Sequence, residues 1–136
     1  MSIPVELADL QGKTTEYTWA YLLTVRPDAT PHLVSLSPQW DGDTLLMSVS
    51  AGTARNSTVG ATITLCYPPL DHDEYSLIVD GLATAVDSAD GSVPDGKSLI
   101  RFAPSGAVLH RSAAPGFANS ATGCANDCLP VENPSA

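Results

Sequence analysis

Short runs of alternating apolar and polar residues, each closed by a turn signal, fill this chain from Trp19 to Arg111. A period of two puts successive side chains on opposite faces of a strand, so the pattern demands sheets with one buried face. Thr44 to Ser50 is the clearest run, with Leu45, Met47 and Val49 on one face and Leu46, Ser48 and Ser50 on the other. Ala61 to Tyr67 repeats it: Ala61, Ile63, Leu65 and Tyr67 oppose Thr62, Thr64 and Cys66. Between them, Thr53 to Gly60 is too polar for a strand and predicts one or two helical turns, N-capped by Thr53.

Turn residues punctuate the rest. Trp19 to Arg26 ends at Pro27-Asp28-Ala29-Thr30, which predicts a hairpin into a second strand, His32 to Ser37. Asp41-Gly42-Asp43 is a hairpin signal ahead of the Thr44 strand. After a loop of two prolines and three acids, Pro68 to Glu74, a long strand from Tyr75 to Val86 carries Gly81, where a bulge or sharp bend lets a barrel corner turn. A solvated connection from Asp87 to Gly96 precedes two last strands, Lys97 to Phe102 and Ala107 to Arg111, separated by Pro104-Ser105-Gly106. With one short helix near residues 4–12, the expected class is mainly all-β: six or seven strands in a closed or nearly closed antiparallel barrel. The barrel domain spans residues 1–111, and 112–136, small, polar and rich in proline, reads as an irregular tail.

With 136 residues, 43% of them hydrophobic, the chain suffices for one domain with its own core. Its net charge of −9, from 6 basic and 15 acidic residues, excludes a nucleic-acid surface or a polybasic membrane patch. No apolar run approaches the roughly 20 residues that cross a bilayer, and the first residues carry acids where a signal peptide carries lysine or arginine. A soluble, cytoplasmic protein is the expectation. Three cysteines make no disulfide scaffold, so reducing surroundings fit. Cys124 and Cys128 share a spacing that suits a tail-stapling disulfide, half a zinc site or two idle thiols, with His110 and Asp127 the nearest thinkable co-ligands. His32, His72 and His110 lack metal-site spacing, so no metal is expected. No nucleophile elbow is present, and Cys66 sits in an apolar strand, which removes hydrolase readings.

Three pieces, in order, carry a resemblance: the PDATPH turn of the first hairpin, the TARN turn after the third strand, and the strand ending Val79-Asp80-Gly81-x-Ala83. Over roughly residues 17 to 111 the chain resembles the pyridoxamine 5'-phosphate oxidase-like proteins, the flavin-binding split barrels. The resemblance implies a six-stranded antiparallel split β-barrel with one or two short helices. It also implies a homodimer with FMN, or in some branches the deazaflavin F-420, in a groove at each interface.

Carried over by position, the resemblance assigns the cofactor phosphate to Ser50, Thr53, Arg55 and Asn56. Arg55 leads, because a guanidinium grips phosphate oxygens bidentately. It assigns the ring to the strand holding His32, Leu33, Val34 and Ser35, whose main chain reads the polar edge, and His32 is a further donor there. The implied function is an FMN- or F-420-dependent oxidoreductase of unassigned substrate. The short 87–96 connection and missing carboxy-terminal elements argue against pyridoxamine phosphate oxidation itself. Ala54 and Asn56 stand where many members have a hydroxyl and a second cation, which favours the alternative: a barrel that binds or sequesters haem, another small ligand or none. Without the resemblance, Arg55 reads as a cap or ion-pair partner of a surface turn in an acidic protein.

Overall fold

A computed structural model of the chain describes residues 2–87 and 96–112. The elements run β1 (Ser2–Pro4), α1 (Leu7–Thr14), β2 (Ala20–Val25), β3 (Pro31–Leu36), β4 (Gln39–Asp41), β5 (Thr44–Ser50), α2 (Ala51–Ser57), β6 (Ile63–Tyr67), β7 (Ser76–Val86) and β8 (Lys97–His110). All pairings between them are antiparallel, in the order β3-β2-β6-β7-β8-β5-β4, with β1 added to β8. The sheet therefore has eight strands rather than six. The extra two, β1 and β4, are three-residue pieces, and the six longer strands form the split barrel.

The alternation seen in the sequence is the alternation of burial. Leu45, Met47 and Val49 of β5, Ile63, Leu65 and Tyr67 of β6, and Leu77 and Val79 of β7 point into one core around Phe102, which is fully buried. Leu10 of α1 is 1% exposed and belongs to the same core. Each such side chain contributes about 1.5–3 kcal/mol by leaving water.

Gly81 is where the barrel bends. The β7–β8 register shifts between Asp80 and Gly81, with Gly81 opposite Pro104 and Asp80 opposite Gly106, so Ser105 is the extra residue of a bulge. A Cβ at Gly81 would overlap the Ala103 carbonyl oxygen and lie 2.7 Å from Phe102 Cζ, so no larger residue fits. Pro104-Ser105-Gly106 thus does not divide two strands, as the sequence suggests; β8 runs through it as one strand of 14 residues. Pro104 is tolerated because β5 pairs with β8 only as far as Phe102 and β1 only from Val108, leaving that edge without a ladder partner.

Two helix boundaries also differ from expectation. The first helix starts at Leu7, not near residue 4, because Ser2–Pro4 pairs with β8 and Glu6 stays extended. The second begins at Ala51 and is capped by Ser50, whose side chain accepts from the Thr53 N–H; Thr53 is not the cap but lies buried in the first turn. The tail beyond Ser112, with Cys124 and Cys128, and most of the 87–96 connection fall outside the described residues.

Candidate functional site

The β2–β3 hairpin and α2 meet at one end of the barrel. Hairpin register sets Thr24 opposite His32 and Val25 opposite Pro31, which leaves Arg26 at the start of the turn, beside His32. The turn is tight: the Arg26 N–H donates to the Thr30 carbonyl at 2.9 Å and the Ala29 N–H to the Arg26 carbonyl at 2.9 Å. Ala29 adopts φ 70°, the left-handed region that normally falls to glycine. Asp28 accepts from the Thr30 hydroxyl at 2.6 Å, and that bond lowers its pKa from the ordinary carboxylate value.

On the other side, α2 follows directly from β5, so Ser50 ends a strand and opens a helix. Together these elements wall an open groove of about 1000 Å³ lined by Arg26, His32, Ser50, Thr53, Arg55 and Asn56, with Val25, Val59 and Ala61 as its apolar part. No acid lines it.

The polar side chains form one network. Arg26 Nη1 donates to the Pro31 carbonyl at 2.9 Å, and Nη2 lies 2.8 Å from His32 Nδ1. His32 Nε2 lies 3.3 Å from Thr53 Oγ1, which shares a 3.1 Å hydrogen bond with Ser50 Oγ. Asn56 Nδ2 reaches Thr24 Oγ1 at 3.4 Å, and Ser57 donates to the Thr53 carbonyl at 2.7 Å. Among the described residues the buried polar side chains are Thr24, Thr53 and Ser57, all gathered beneath this groove. Arg55 differs from Arg26. It is exposed, with Nη2 3.7 Å from where a Cβ on Gly52 would sit, and it has no hydrogen bond or ion pair among the described residues. The surface-cap reading of Arg55 finds no partner there.

Of the residues expected at the cofactor, Ser50, Thr53, Arg55, Asn56 and His32 line the groove together. Leu33, Val34 and Ser35 lie further along β3 and do not line it: Val34 packs on the core, while Leu33 and Ser35 face outward. Since β3 pairs, among the described residues, with β2 alone, half of its N–H and C=O groups point away from the sheet. Arg26 is a groove residue that motif reading does not find. The signal was the hairpin length: a turn spanning 26–30 brings the residue before it next to the strand that follows. Trp40 is half-buried and bound elsewhere, donating to Thr14 Oγ1 at 2.9 Å.

A donor set of two guanidiniums, two hydroxyls and an amide, with no carboxylate among the described lining residues, suits a phosphate or another acceptor-only anion. Beside it, the outer face of the hairpin exposes Tyr21, Leu23, Val25 and Leu33. Leu23 and Leu33 are direct cross-strand partners, and Trp19 stacks edge-on against Tyr21 at 4.7 Å.

Comparison with known proteins fits this geometry. No family model matches the chain. Uncharacterized proteins of Mycobacterium bovis and Mycobacterium tuberculosis are each 34% identical over 135 residues, spanning 92% of this chain and 93% of the relative. A Listeria innocua structure provisionally named a pyridoxamine 5'-phosphate oxidase superposes with a TM-score of 0.62 at 13% identity, covering 76% of this chain and 96% of that one. The haem storage protein HutZ of Vibrio cholerae gives 0.60 at 17% identity, covering 75% and 92%. An FAD binding protein of Mycobacterium smegmatis gives 0.57 at 17% identity, covering 78% and 95%.

Proposed function

Because this chain belongs to one family with the two mycobacterial proteins and shares the split-barrel fold of the pyridoxamine 5'-phosphate oxidase-like proteins, we propose that it is a cytoplasmic, homodimeric oxidoreductase that holds the phosphate of FMN, or of the deazaflavin F-420, in the hairpin–α2 groove. The observation that carries this reading is a groove lined, among the described residues, by two of the six Lys and Arg residues and by no acid, in a chain with net charge −9. Charge of one sign, gathered against the overall balance, needs a counter-charge, and a phosphate is the natural one.

The unpaired Arg55 supplies a bidentate grip, Arg26 a second fixed positive charge, and Ser50 and Thr53 hydroxyl contacts. In this reading the outward N–H and C=O groups of edge strand β3 would read the polar edge of a flat ring. When bound, the flavin supplies the hydride transfer; the chain binds it, orients it and keeps water from one face. The apolar strip of Tyr21, Leu23, Val25 and Leu33 runs into the groove mouth through Val25, so a second copy seated on it would complete the cofactor's enclosure.

An absorption spectrum of the purified protein, followed by titration with FMN and F-420 read by fluorescence, tests this. Saturable quenching that Arg55→Ala weakens by about tenfold supports it. A colourless protein indifferent to both cofactors sinks it. The rival reading, a haem-holding or otherwise non-redox barrel, draws on the likeness to HutZ and on Ala54 and Asn56. Against haem stands His32, the nitrogen ligand in the groove, which is engaged at both ring nitrogens. A haem absorption band on titration with no flavin response selects that rival.

A further inference from the structure

Two hydroxyls and one imidazole in the groove pose a counting problem, and Arg26 solves it. An arginine side chain has donors and no acceptor, so its 2.8 Å contact with His32 Nδ1 requires that nitrogen to be unprotonated. A neutral imidazole then carries its hydrogen on Nε2, and His32 must donate to Thr53 Oγ1. Ser50 and Thr53 together own two hydroxyl hydrogens, but the single bond between their oxygens uses one. Neither hydroxyl has another acceptor among the described residues, and His32 Nε2, already protonated, cannot serve. One hydrogen is left over at the groove wall.

We infer that Arg26 is a positioning residue: by occupying His32 Nδ1 it makes the Ser50–Thr53 hydroxyl pair a hydrogen-bond donor toward the groove, matched to an acceptor-only oxygen such as that of phosphate. Without the guanidinium, His32 is free to carry its hydrogen on Nδ1, and Nε2 then absorbs the surplus hydroxyl hydrogen. The same groove would lose a donor while keeping its shape. Arg26 is held for this task by Pro31 and by Thr30 Oγ1, 3.3 Å from Nη1, so its head is fixed before any ligand arrives. The inference deepens the phosphate reading of the groove and rests on it for the ligand's class.

Nitrogen-15 NMR of the imidazole in the ligand-free full chain gives the first test. The wild type is expected to show His32 protonated at Nε2, Arg26→Ala to move the hydrogen to Nδ1, and Arg26→Lys to restore it. A wild-type Nδ1–H form, or a tautomer unchanged in Arg26→Ala, overturns the inference. The second test is a double-mutant cycle on FMN affinity. Arg26→Ala should cost about tenfold more with His32 present than in a His32→Phe background, because only His32 transmits the donor effect. Equal losses in both backgrounds reduce Arg26 to a simple charge and overturn its positioning role. If the wild type binds neither FMN nor F-420, the cofactor reading falls, while the ligand-free tautomer measurement still decides this inference.

Discussion

The two ends of the barrel treat charge in opposite ways. At the groove end, Arg26 and Arg55 line a wall to which the described residues contribute no acid, and the buried polar groups Thr24, Thr53 and Ser57 lie beneath them. At the far end, cavities of about 190 and 850 Å³ are lined by Glu16, Asp71, Asp73 and Glu74. The cations there are accounted for: Lys13 pairs with Glu16 at 3.3 Å, and Arg111 sits 4.4 Å over the Tyr75 ring and donates to the Asp73 carbonyl. Tyrosines fill in between, with Tyr17 bonded to the Tyr75 carbonyl and packed 5.9 Å from Tyr67. A net charge therefore says little about what a protein can hold. What counts is whether its few cations are already neutralised where they stand.

The sharpest break of this contrast is to empty each end of its cations. Arg26→Ala with Arg55→Ala should weaken FMN or F-420 binding by about a hundredfold or more, whereas Lys13→Ala with Arg111→Ala should leave it unchanged, both read by fluorescence titration. Similar losses from both pairs would mean that the field of the whole molecule, not the groove, attracts the anion.

The second test is alkaline. Burial pushes Tyr67 at the far end from its ordinary value of 10 up to about 12. The folded state keeps that proton after the unfolded chain has lost it, so the associated stability is complete below pH 10 and drains as pH rises from 10 to 12. The loss amounts to about 2–3 kcal/mol in urea melts, and Tyr67→Phe should remove it.

Smaller effects follow. Ala29→Gly should relieve the left-handed residue of the groove hairpin and raise stability by about 0.5–1 kcal/mol, measured by denaturant unfolding. His72 at the far end, 91% exposed between Asp71 and Asp73, should tolerate alanine with no change in melting temperature.

How far the sequence revealed this asymmetry depended on distance along the chain. The β5 bounds, the alternation of β6, the Gly81 bulge and the existence of a short helix between β5 and β6, though not its start or its cap, are local events that local patterns announced. Ser50, Thr53, Arg55 and Asn56 lie within seven positions of one another, so their convergence was legible too. Arg26 was not, because its meaning depends on a hairpin register and on a helix about thirty residues later. Pro104 and Gly106 misled for a related reason: they look like a break until a neighbouring strand shows that the extra residue is absorbed as a bulge. The separation of charge between the ends is wholly tertiary, since Lys13 and Arg111, nearly a hundred positions apart, reach the same region.

Among the described residues strand β3 has one neighbour, β2, while every other long strand of the barrel has at least two. Held along a single ladder, it opens at less cost than the rest, and its amides should exchange with solvent hydrogen long before those of β6 or β7. His32 rides on this strand, so the groove is whole only while the hairpin is closed. A ligand that bridges β3 and α2 would slow that exchange, and the hairpin's protection would become a gauge of occupancy even for a molecule that neither absorbs nor fluoresces.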